Sequence, residues 1–230
     1  MKYLVNPCTD SHYNMAFDEW CLENLDLDEP VFYLWRNRPS VIIGLNQCVE
    51  TEVNVPFLEA NGIDLARRVT GGGAVYHDLQ NMNYTFIGHD VTPQPFVDAL
   101  KSLGLEAEQT GRNDIFVDGK KVSGYAKRVW KDRIIVHGTM MYDVDIDTLT
   151  QALATPESKL VKKGIASVRS RVTNLKDYLP QFSCLDEVQE ALHKILAAGD
   201  GEIVLSKSQL AEVQALCDAK FATREWIFKQ

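Results

Sequence analysis

Two arginines stand two residues before three consecutive glycines in the segment RRVTGGGAVYHD, residues 67–78. Glycine allows the backbone to approach a ligand closely, and successive backbone N–H groups form an anion-binding concavity. The guanidinium group of arginine binds phosphate or carboxylate through two parallel hydrogen bonds. We therefore predict an anion-binding loop, with Arg68 on the ligand side and Arg67 equally suited to a structural ion pair. A tight turn between two strands is the alternative.

The segment GRNDIFVDGKKVSGYAKR, residues 111–128, contains a second candidate group. Side chains alternate along a β-strand, so we expect Lys121 and Ser123 on one face and Lys120 on the opposite face. A lysine beside a glycine-rich loop stabilises a phosphate or a developing negative charge. Asp114 is the nearest carboxylate in sequence for a magnesium ion or a sugar hydroxyl. An exposed hairpin is the alternative for the two lysines.

The sequence does not indicate a transition-metal site or covalent catalysis. His77 and His137 are isolated histidines, and H-x-H, H-E-x-x-H and Cys/His clusters are absent, so no transition-metal site is expected. The Walker A pattern is absent, and Tyr76 replaces the third glycine of G-x-G-x-x-G. Neither segment contains a cysteine or a G-x-S-x-G elbow, so a covalent serine or cysteine mechanism is unsupported.

Hydrophobic periodicity and turn residues predict the elements that position these groups. A stripe of apolar residues predicts a helix over residues 11–25, with Ser11 as its cap. Strands are expected on both sides of the glycines, and three further strands are joined by tight turns at 118–119 and 131–132. Consecutive strands lie too close in sequence for crossover helices. We therefore predict an α+β or mixed α/β sandwich rather than a doubly wound parallel sheet.

Composition and charge limit the class of protein. The chain is 45% hydrophobic and 24% charged, as in soluble globular proteins, and its net charge of −8 argues against extensive nucleic-acid binding. The N-terminal residues do not form a signal peptide, no apolar run is long enough to span a membrane, and the five scattered cysteines indicate reduced thiols. We therefore expect a cytoplasmic protein that binds neither nucleic acid nor membrane.

Positive charge is concentrated in the middle of the chain. Residues 112–171 contain twelve of the 24 Lys and Arg residues but seven of the 32 Asp and Glu residues, which gives this span a net charge of +5. Such a span predicts an anionic ligand or an acidic partner, and a solvated charged face is the alternative. Lys159, Lys162 and Lys163 are our candidates for a patch that docks an acidic partner protein.

Four segments together resemble the lipoate–protein ligase family, within the biotin/lipoate ligase and octanoyltransferase superfamily. RRVTGGGAVYHDLQNMNYTFI is similar to the signature RR-x-[ST]-GGG-x-V-x-HD-x-GN, with Gln80 in place of the usual glycine. GRNDIFVDGKKVSGYAKR, HGTMMYDVDIDTL and KGIASVRSRVTNL resemble the next three signatures, so the likeness extends over about residues 14–175. It implies a fold like that of class II aminoacyl-tRNA synthetases, with a central mixed sheet flanked by helices.

The resemblance implies an ATP-dependent enzyme that works in two steps. Lipoate and ATP, with Mg²⁺, give lipoyl-adenylate and pyrophosphate, and a lysine of a lipoyl domain then attacks the mixed anhydride. The implied acceptors are the E2 subunits of 2-oxoacid dehydrogenases and the H protein of glycine cleavage. A transferase that uses a preactivated octanoyl or lipoyl donor is one alternative, and a non-enzymatic lipoate-binding module is another.

The resemblance also assigns roles to individual residues. Lys121 is the implied catalytic residue, in contact with the lipoyl carbonyl and the adenylate phosphate. The implied nucleotide-binding residues are Arg68, Gly73, Ala74, Val75, Tyr76, Asp114 and Lys121. The implied lipoate-binding residues are Gly71, Gly72, Gly73, His77, Lys121, Ser123, Gly124, His137 and Gly138. Asp114 is also the implied magnesium ligand.

Single-chain ligases of this family usually continue past a W-x-F-G segment into a small C-terminal domain. This sequence ends at FATREWIFKQ, so we expect residues 1–230 to form a single catalytic domain without the accessory domain. The accessory domain takes part in activating lipoate in the family. We therefore expect a separately encoded accessory subunit, a truncated form or a preactivated acyl donor.

Overall fold

A computed structural model describes residues 1–111, 113–153, 172–197, 199 and 201–229. The patch candidates Lys159, Lys162 and Lys163 lie outside the described residues, as does most of the fourth signature segment. Within the described part, no helix is long and apolar enough to cross a lipid bilayer. The five cysteines, all of them described, carry free thiols.

Short strands and helices make up the described chain. The strands are β1 (Lys2–Leu4), β2 (Val31–Trp35), β3 (Ser40–Ile43), β4 (Asp64–Arg67), β5 (Val75–His77), β6 (Asn81–Gly88), β7 (Ala107–Thr110), β8 (Asp114–Val117), β9 (Lys120–Trp130), β10 (Arg133–Met141) and β11 (Glu202–Ile203). The α-helices are α1 (Ser11–Asn24), α2 (Val49–Glu52), α3 (Val55–Asn61), α4 (Gln94–Ser102), α5 (Ile146–Ala152), α6 (Leu185–Ala197), α7 (Lys207–Leu216) and α8 (Arg224–Ile227). A 3₁₀ turn covers Lys176–Tyr178, and a π-helical turn covers Cys217–Phe221.

Two sheets form the centre of the described structure. Eight strands form a mixed sheet in the order β11-β1-β2-β6-β10-β9-β8-β7, and β4-β3-β5 form a small second sheet. In the large sheet β1 is parallel to β11 and to β2, and the remaining pairs are antiparallel. This architecture confirms the predicted α+β fold, a central mixed sheet flanked by helices.

Helices cover both faces of the large sheet. On one face α4 and α6 pack on an apolar core, in which the rings of Tyr84 and Phe96 stack with centroids 3.9 Å apart. On the other face α1 and α7 pack on a second core that includes Phe17 and Trp20. A third core joins the small sheet to α3 and α5. The helices therefore hold the two sheets in a fixed relation through apolar burial.

The cap of α1 differs from the prediction. Asp10, rather than Ser11, caps the helix, because its Oδ1 accepts hydrogen bonds from the backbone N–H groups of His12 and Tyr13. Ser11 is the first helical residue and is fully buried. Aspartate and serine are comparable N-caps, so two adjacent candidates are not distinguished by residue type alone.

The three strands β8, β9 and β10 are joined by tight turns at the predicted positions. Asp118 and Gly119 have φ angles of 50° and 71°, the positive values that a type I′ hairpin turn requires. Lys131 in the second turn has a φ angle of 53°. The glycine triplet likewise lies between two strands, β4 and β5, as predicted.

A β-bulge in β9 changes which side chains share a face. Ile115 pairs with Ser123 but Phe116 pairs with Lys121, so Val122 is an extra residue on this strand. Val122 and Ser123 are both buried, with Val122 in the core beneath α4 and α6. The prediction that Lys121 and Ser123 share a face is therefore wrong, because the bulge interrupts the alternation on which it depended.

Candidate active site

A cleft lies between the two sheets, and its empty space, with the open solvent at its mouth included, is about 600 Å³. Its walls come from β2, β6, β9 and β10 of the large sheet, from β3 and β5 of the small sheet, and from α1. The segment between β4 and β5, residues 68–74 and hereafter the glycine loop, closes one side.

Most of the residues predicted from the sequence meet at this cleft. The predicted residues in its walls are Arg68, Gly72, Gly73, Ala74, Val75, His77, Lys121, Gly124, His137 and Gly138. The predicted residues outside its walls are Gly71, Tyr76, Asp114 and Ser123. Tyr76 packs in the core of the small sheet. The Ser123 hydroxyl lies 3.4 Å from the Tyr84 hydroxyl in the interior of the protein.

Sequence reasoning missed several wall residues. These are Met15, Trp35, Ile42, Asn83, Asn113, Tyr125, Ala126 and Thr139. They carry no charge, and most lie inside elements whose periodicity marks them as ordinary core positions. Only the pairing of distant strands brings them together, for example Trp35 with Asn83 and Thr139 with Asn83.

Arg68 determines the shape of the glycine loop. Its Nη2 donates to the carbonyl oxygens of Gly71 and Gly73, both at 2.7 Å, and its Nη1 donates to the carbonyl oxygen of Ile42 at 3.0 Å. Burial lowers the pKa of this guanidinium to about 10, so it remains charged at neutral pH. Most of its donors bind loop carbonyl groups, so its main role in the structure is to orient the loop.

The glycine loop packs directly on the end of β3. A Cβ atom at Gly44 would lie 2.1 Å from the carbonyl oxygen of Gly72 and 3.2 Å from Nη2 of Arg68. Gly72 itself has a φ angle of 93°, which side-chain-bearing residues rarely adopt. Glycine is therefore required at both positions for the observed contact between β3 and the loop.

Arg67 is fully buried and binds main-chain carbonyl groups on two separate segments. Its Nη1 donates to the carbonyl oxygens of residues 44, 45 and 47. Its Nε and Nη2 donate to those of residues 226, 227 and 229. Arg67 thus joins the end of β3 to the segment around α8. The structural role offered for Arg67 from the sequence agrees with these contacts. The described partners are carbonyl groups, however, and not the carboxylate of the expected ion pair.

Replacing Arg67 with alanine is expected to lower the free energy of unfolding by about 3 kcal/mol, because buried carbonyl groups lose a charged donor. Arg38 is the matched control, since its side chain is 49% exposed and pairs with Asp10 and Asp64. Arg38→Ala should lower the free energy of unfolding by less than about 1 kcal/mol. Urea denaturation of both variants checks the difference, and equal losses would contradict the structural role of Arg67.

Lys121 carries the positive charge on the β9 side of the cleft. Its Nζ lies 2.8 Å from Oδ1 of Asp114. A Cβ atom at Gly124 would lie 3.0 Å from this Nζ, so the glycine leaves room for the ammonium group. The carbonyl oxygen of Lys121 accepts a hydrogen bond from the N–H of Thr173 at 3.0 Å. Lys120 is exposed and outside the cleft walls, which confirms that it points away from the cleft.

A buried polar network connects the floor of the cleft to the glycine loop. His137 Nδ1 lies 2.5 Å from Oδ2 of Asp18, and its Nε2 lies 2.7 Å from the hydroxyl of Thr70. The same hydroxyl accepts a hydrogen bond from Nε of Arg68 at 3.0 Å. Tyr33 donates to the other oxygen of Asp18. His137 is therefore positioned from both sides of its ring.

Among the described residues, no cluster of three or more His, Cys, Asp or Glu side chains could hold a metal ion. Asp114 is the carboxylate beside the cleft that the sequence singled out, and it pairs with Lys121. The described walls of the cleft include no cysteine. The cleft walls offer the charged groups of Lys121 and Arg68, together with backbone amides and neutral polar side chains.

Comparison with known proteins identifies the family. A family model described as the lipoyl protein ligase A/B catalytic domain matches residues 10–197. The lipoate–protein ligase LplJ of Bacillus subtilis is 43% identical over 80% of this chain and 58% of its own length. Lipoate–protein ligase 1 of Staphylococcus aureus is 38% identical over 98% of this chain and 73% of its own length.

Solved structures agree with this assignment. One chain of the bi-partite lipoate protein ligase of Thermoplasma acidophilum is 31% identical, with a TM-score of 0.89 over 99% of this chain and 95% of its own. A putative lipoate protein ligase from the same organism, solved with bound lipoic acid, has a TM-score of 0.85 at 29% identity and covers 100% of this chain and 98% of its own. A lipoate–protein ligase A bound with ATP has a TM-score of 0.84 at 30% identity, and the match covers 99% of this chain and 98% of its own.

The fold and the family match place the chain among enzymes that ligate an acyl group to a protein. It belongs to the lipoate–protein ligase family. The family, the fold class and the ligase class predicted from the sequence are thereby confirmed.

Proposed function

We propose that this chain forms lipoyl-adenylate from lipoate and ATP and transfers the lipoyl group to a lysine of a lipoyl domain. The observation that carries the proposal is the placement of Lys121 opposite the glycine loop, across one cleft. Family membership supports it, as do the lipoic acid and the ATP bound to two similar proteins.

The proposed reaction consists of two substitutions. A carboxylate oxygen of lipoate attacks the α-phosphorus of ATP and pyrophosphate leaves. The amine of the acceptor lysine then attacks the acyl carbon, AMP leaves and the amine gives up a proton. Negative charge grows on the phosphate in the first step and on the carbonyl oxygen in the second. Lys121 is suited to stabilise both, because it is preorganised by Asp114 at 2.8 Å.

The two ends of the proposed adenylate require different surroundings. Backbone N–H groups of the glycine loop are suited to the phosphate, since Arg68 draws the loop carbonyls to itself. Met15, Trp35 and Ile42 give the cleft an apolar wall for the hydrocarbon chain of the acid. Of the predicted binding residues, Gly71, Tyr76 and Ser123 lie outside the cleft walls and are assigned no ligand contact in this proposal.

The proposal includes magnesium as the ion that accompanies ATP. Mg²⁺ is commonly held by the phosphates together with one or two protein carboxylates, so a dedicated cluster of ligands is not needed. Asp114 is the candidate carboxylate because it lies beside Lys121. The ion would offset the charge of the phosphates, and the chain's own part is to orient them.

The acceptor is proposed to be a lipoyl domain, such as that of an E2 subunit or the H protein. The similar Thermoplasma ligase was solved as a system with its E2 lipoyl domain, which supports this class of partner. A cytoplasmic location, expected from composition, belongs to the same proposal.

One assay separates this function from its alternatives. The chain is incubated with an apo lipoyl domain and either lipoate with ATP, or an acyl carrier protein that bears an octanoyl or lipoyl group. A ligase modifies the acceptor only in the first mixture, and a transferase only in the second. Lipoate binding without modification in either mixture would indicate a binding module.

We predict that the isolated chain adenylates lipoate weakly, yet transfers lipoyl groups efficiently from chemically prepared lipoyl-adenylate. The similar Thermoplasma ligase is described as bi-partite, which supports a separately encoded accessory subunit that takes part in the first step. Pyrophosphate release from lipoate and ATP measures the first step. Release by the isolated chain at the roughly 10 per second that is typical of enzymes would contradict the need for a partner.

We predict that the basic patch accelerates docking of an acidic acceptor domain. Changing Lys159, Lys162 and Lys163 to glutamate should slow lipoyl transfer, most strongly at low salt, because charges at the rim of an interface mainly affect the association rate. Adenylate formation should be unchanged and serves as the control. Equal transfer rates for the variant and the unmodified chain across a salt series would contradict the prediction.

A further inference from the structure

A series of hydrogen bonds runs from the glycine loop to Asp18 on α1. Nε of Arg68 donates to the hydroxyl of Thr70 at 3.0 Å, and this hydroxyl lies 2.7 Å from Nε2 of His137. Nδ1 of His137 lies 2.5 Å from Oδ2 of Asp18. Thr70, His137 and Asp18 are at most 6% exposed, so water competes little for these bonds. The four side chains therefore form one buried connection between the loop and α1.

The direction of these hydrogen bonds follows from the arginine. A guanidinium group only donates, so the Thr70 oxygen accepts from Arg68 and its own proton needs another acceptor. Among the described residues, the acceptor in contact with this hydroxyl is Nε2 of His137. A ring nitrogen that accepts carries no proton, so the neutral His137 ring is protonated at Nδ1 and donates to Asp18. Both ring nitrogens are thereby bound within the protein.

Two further donors require a carboxylate at Asp18. Nε1 of Trp35 donates to the hydroxyl of Thr85 at 2.9 Å, and an indole N–H only donates, so the Thr85 proton is left for Oδ1 of Asp18 at 3.2 Å. The hydroxyl of Tyr33 donates to the same oxygen. Burial raises the pKa of Tyr33 well above its usual value, as does the nearby Asp18, so this hydroxyl keeps its proton. Asp18 thus accepts from three side chains, and an amide in its place would turn its NH₂ group toward one of them.

We propose that Asp18 and His137 are positioning residues that hold the glycine loop in place through Thr70. The inference rests on the proposed function, in which backbone N–H groups of this loop bind the adenylate phosphate. Arg68 holds two loop carbonyl oxygens through Nη2, and Thr70 fixes the Nε atom of the same guanidinium. Neither Asp18 nor Thr70 lies in the cleft walls, so each acts on a ligand only through the residues it binds. His137 then serves the loop and has no free ring nitrogen for lipoate.

Removal of the Thr70 hydroxyl tests the connection. Thr70→Val keeps the shape of the side chain but removes the group that joins Nε of Arg68 to Nε2 of His137. The loop then leaves its binding position part of the time, and the apparent affinity falls with the fraction of competent molecules. We expect the variant to bind lipoyl-sulfamoyl adenosine, a mimic of the adenylate that resists transfer, about five- to tenfold more weakly, the loss expected for one hydrogen bond. Free lipoate has no group at the phosphate position and should bind nearly as it does to the unmodified chain.

Two variants serve as controls, and a third tests the far end of the connection. Thr70→Ser retains the hydroxyl and should recover the affinity. Thr150→Val removes another buried threonine hydroxyl, which donates to the carbonyl oxygen of Ile146 outside the cleft walls, and should bind the analogue normally. Asp18→Asn should weaken binding as Thr70→Val does. The double variant should lose little more than either single one, because both changes break the same connection.

Two binding outcomes would overturn the inference. Equal losses of affinity for the analogue and for free lipoate would mean that the hydroxyl supports the whole fold and not the loop. Binding of the analogue by the unmodified chain, with equal binding by Thr70→Val, would refute this inference alone. If the unmodified chain bound no analogue and lipoylated no acceptor, the proposed function itself would fail.

The direction of the hydrogen bonds is measured separately, by ¹H–¹⁵N NMR of the histidine rings at neutral pH. The expected His137 signal in the unmodified chain is that of a neutral ring protonated at Nδ1. In Asp18→Asn the amide oxygen accepts from Tyr33 and Thr85, so its NH₂ group faces the ring and the ring proton should move to Nε2. Protonation of His137 at Nε2 in the unmodified chain would contradict the proposal, whether or not the variants fold.

Discussion

Lys121→Ala is expected to reduce lipoyl transfer by about a hundred- to a thousandfold, the usual loss when one preorganised charge donor is removed from an active site. Lys121 is the lysine in the cleft walls, and its ammonium group is held by Asp114. Both side chains are partly exposed, so the variant should remain folded. Single-turnover transfer from lipoyl-adenylate and thermal unfolding measure the two effects.

Lys120→Ala is the control for this experiment. Lys120 is adjacent in sequence and has the same chemistry, but it is exposed and lies outside the cleft walls. Its removal should leave transfer nearly unchanged. Equal losses in both variants would contradict the assigned faces of β9, and near-normal turnover of Lys121→Ala would contradict its catalytic role.

Gly44→Ala is expected to lower adenylate formation by about ten- to a hundredfold, because overpacking a close contact typically costs about 1–3 kcal/mol. The new Cβ atom would lie 2.1 Å from the carbonyl oxygen of Gly72, a backbone atom that cannot rotate away. The glycine loop must then move from the position in which Arg68 holds it. Steady-state formation of acyl-adenylate, with the accessory partner present where it is required, measures the loss.

Gly71→Ala is the matched control in the same loop. A Cβ atom at Gly71 meets nothing within 4 Å, and Gly71 lies outside the cleft walls. This variant should retain most of the activity. A Gly44→Ala protein as active as Gly71→Ala would show that the contact between β3 and the loop does not matter for nucleotide binding.

The elements that are marked by local signals were predictable from the sequence. The turn at Asp118-Gly119 needs positive φ angles, and this pair of residues adopts them at little cost. The strands around the glycine loop and the amphipathic helix α4 follow from their periodicity. By contrast, β1 and β11 have three and two residues, and they exist because distant parts of the chain pair in parallel. Such pairing leaves no local pattern.

The sequence predicted those residues of the candidate site whose type itself indicates a chemical role. Lys121 and the glycines were found because a charged side chain and consecutive residues without side chains are unusual in a strand-rich region. The bulge at Val122 was not predicted, because side chains alternate regularly between the two faces of most strands. A glycine inside a strand often marks a bulge, so Gly124 was the signal in the sequence that could have indicated it. Asp18 was missed because its contact with His137 joins two positions that lie far apart in sequence and meet only in the folded structure.

We propose that the cleft between the two sheets transfers a lipoyl group from its adenylate to a lipoyl domain. The most direct measurement mixes the purified chain with chemically prepared lipoyl-adenylate and an apo lipoyl domain, and follows the intact mass of the acceptor. We expect the addition of one lipoyl group by the unmodified chain and by Lys120→Ala, and no addition by Lys121→Ala. An acceptor that stays unmodified with lipoyl-adenylate but is modified from an acylated carrier protein would contradict it.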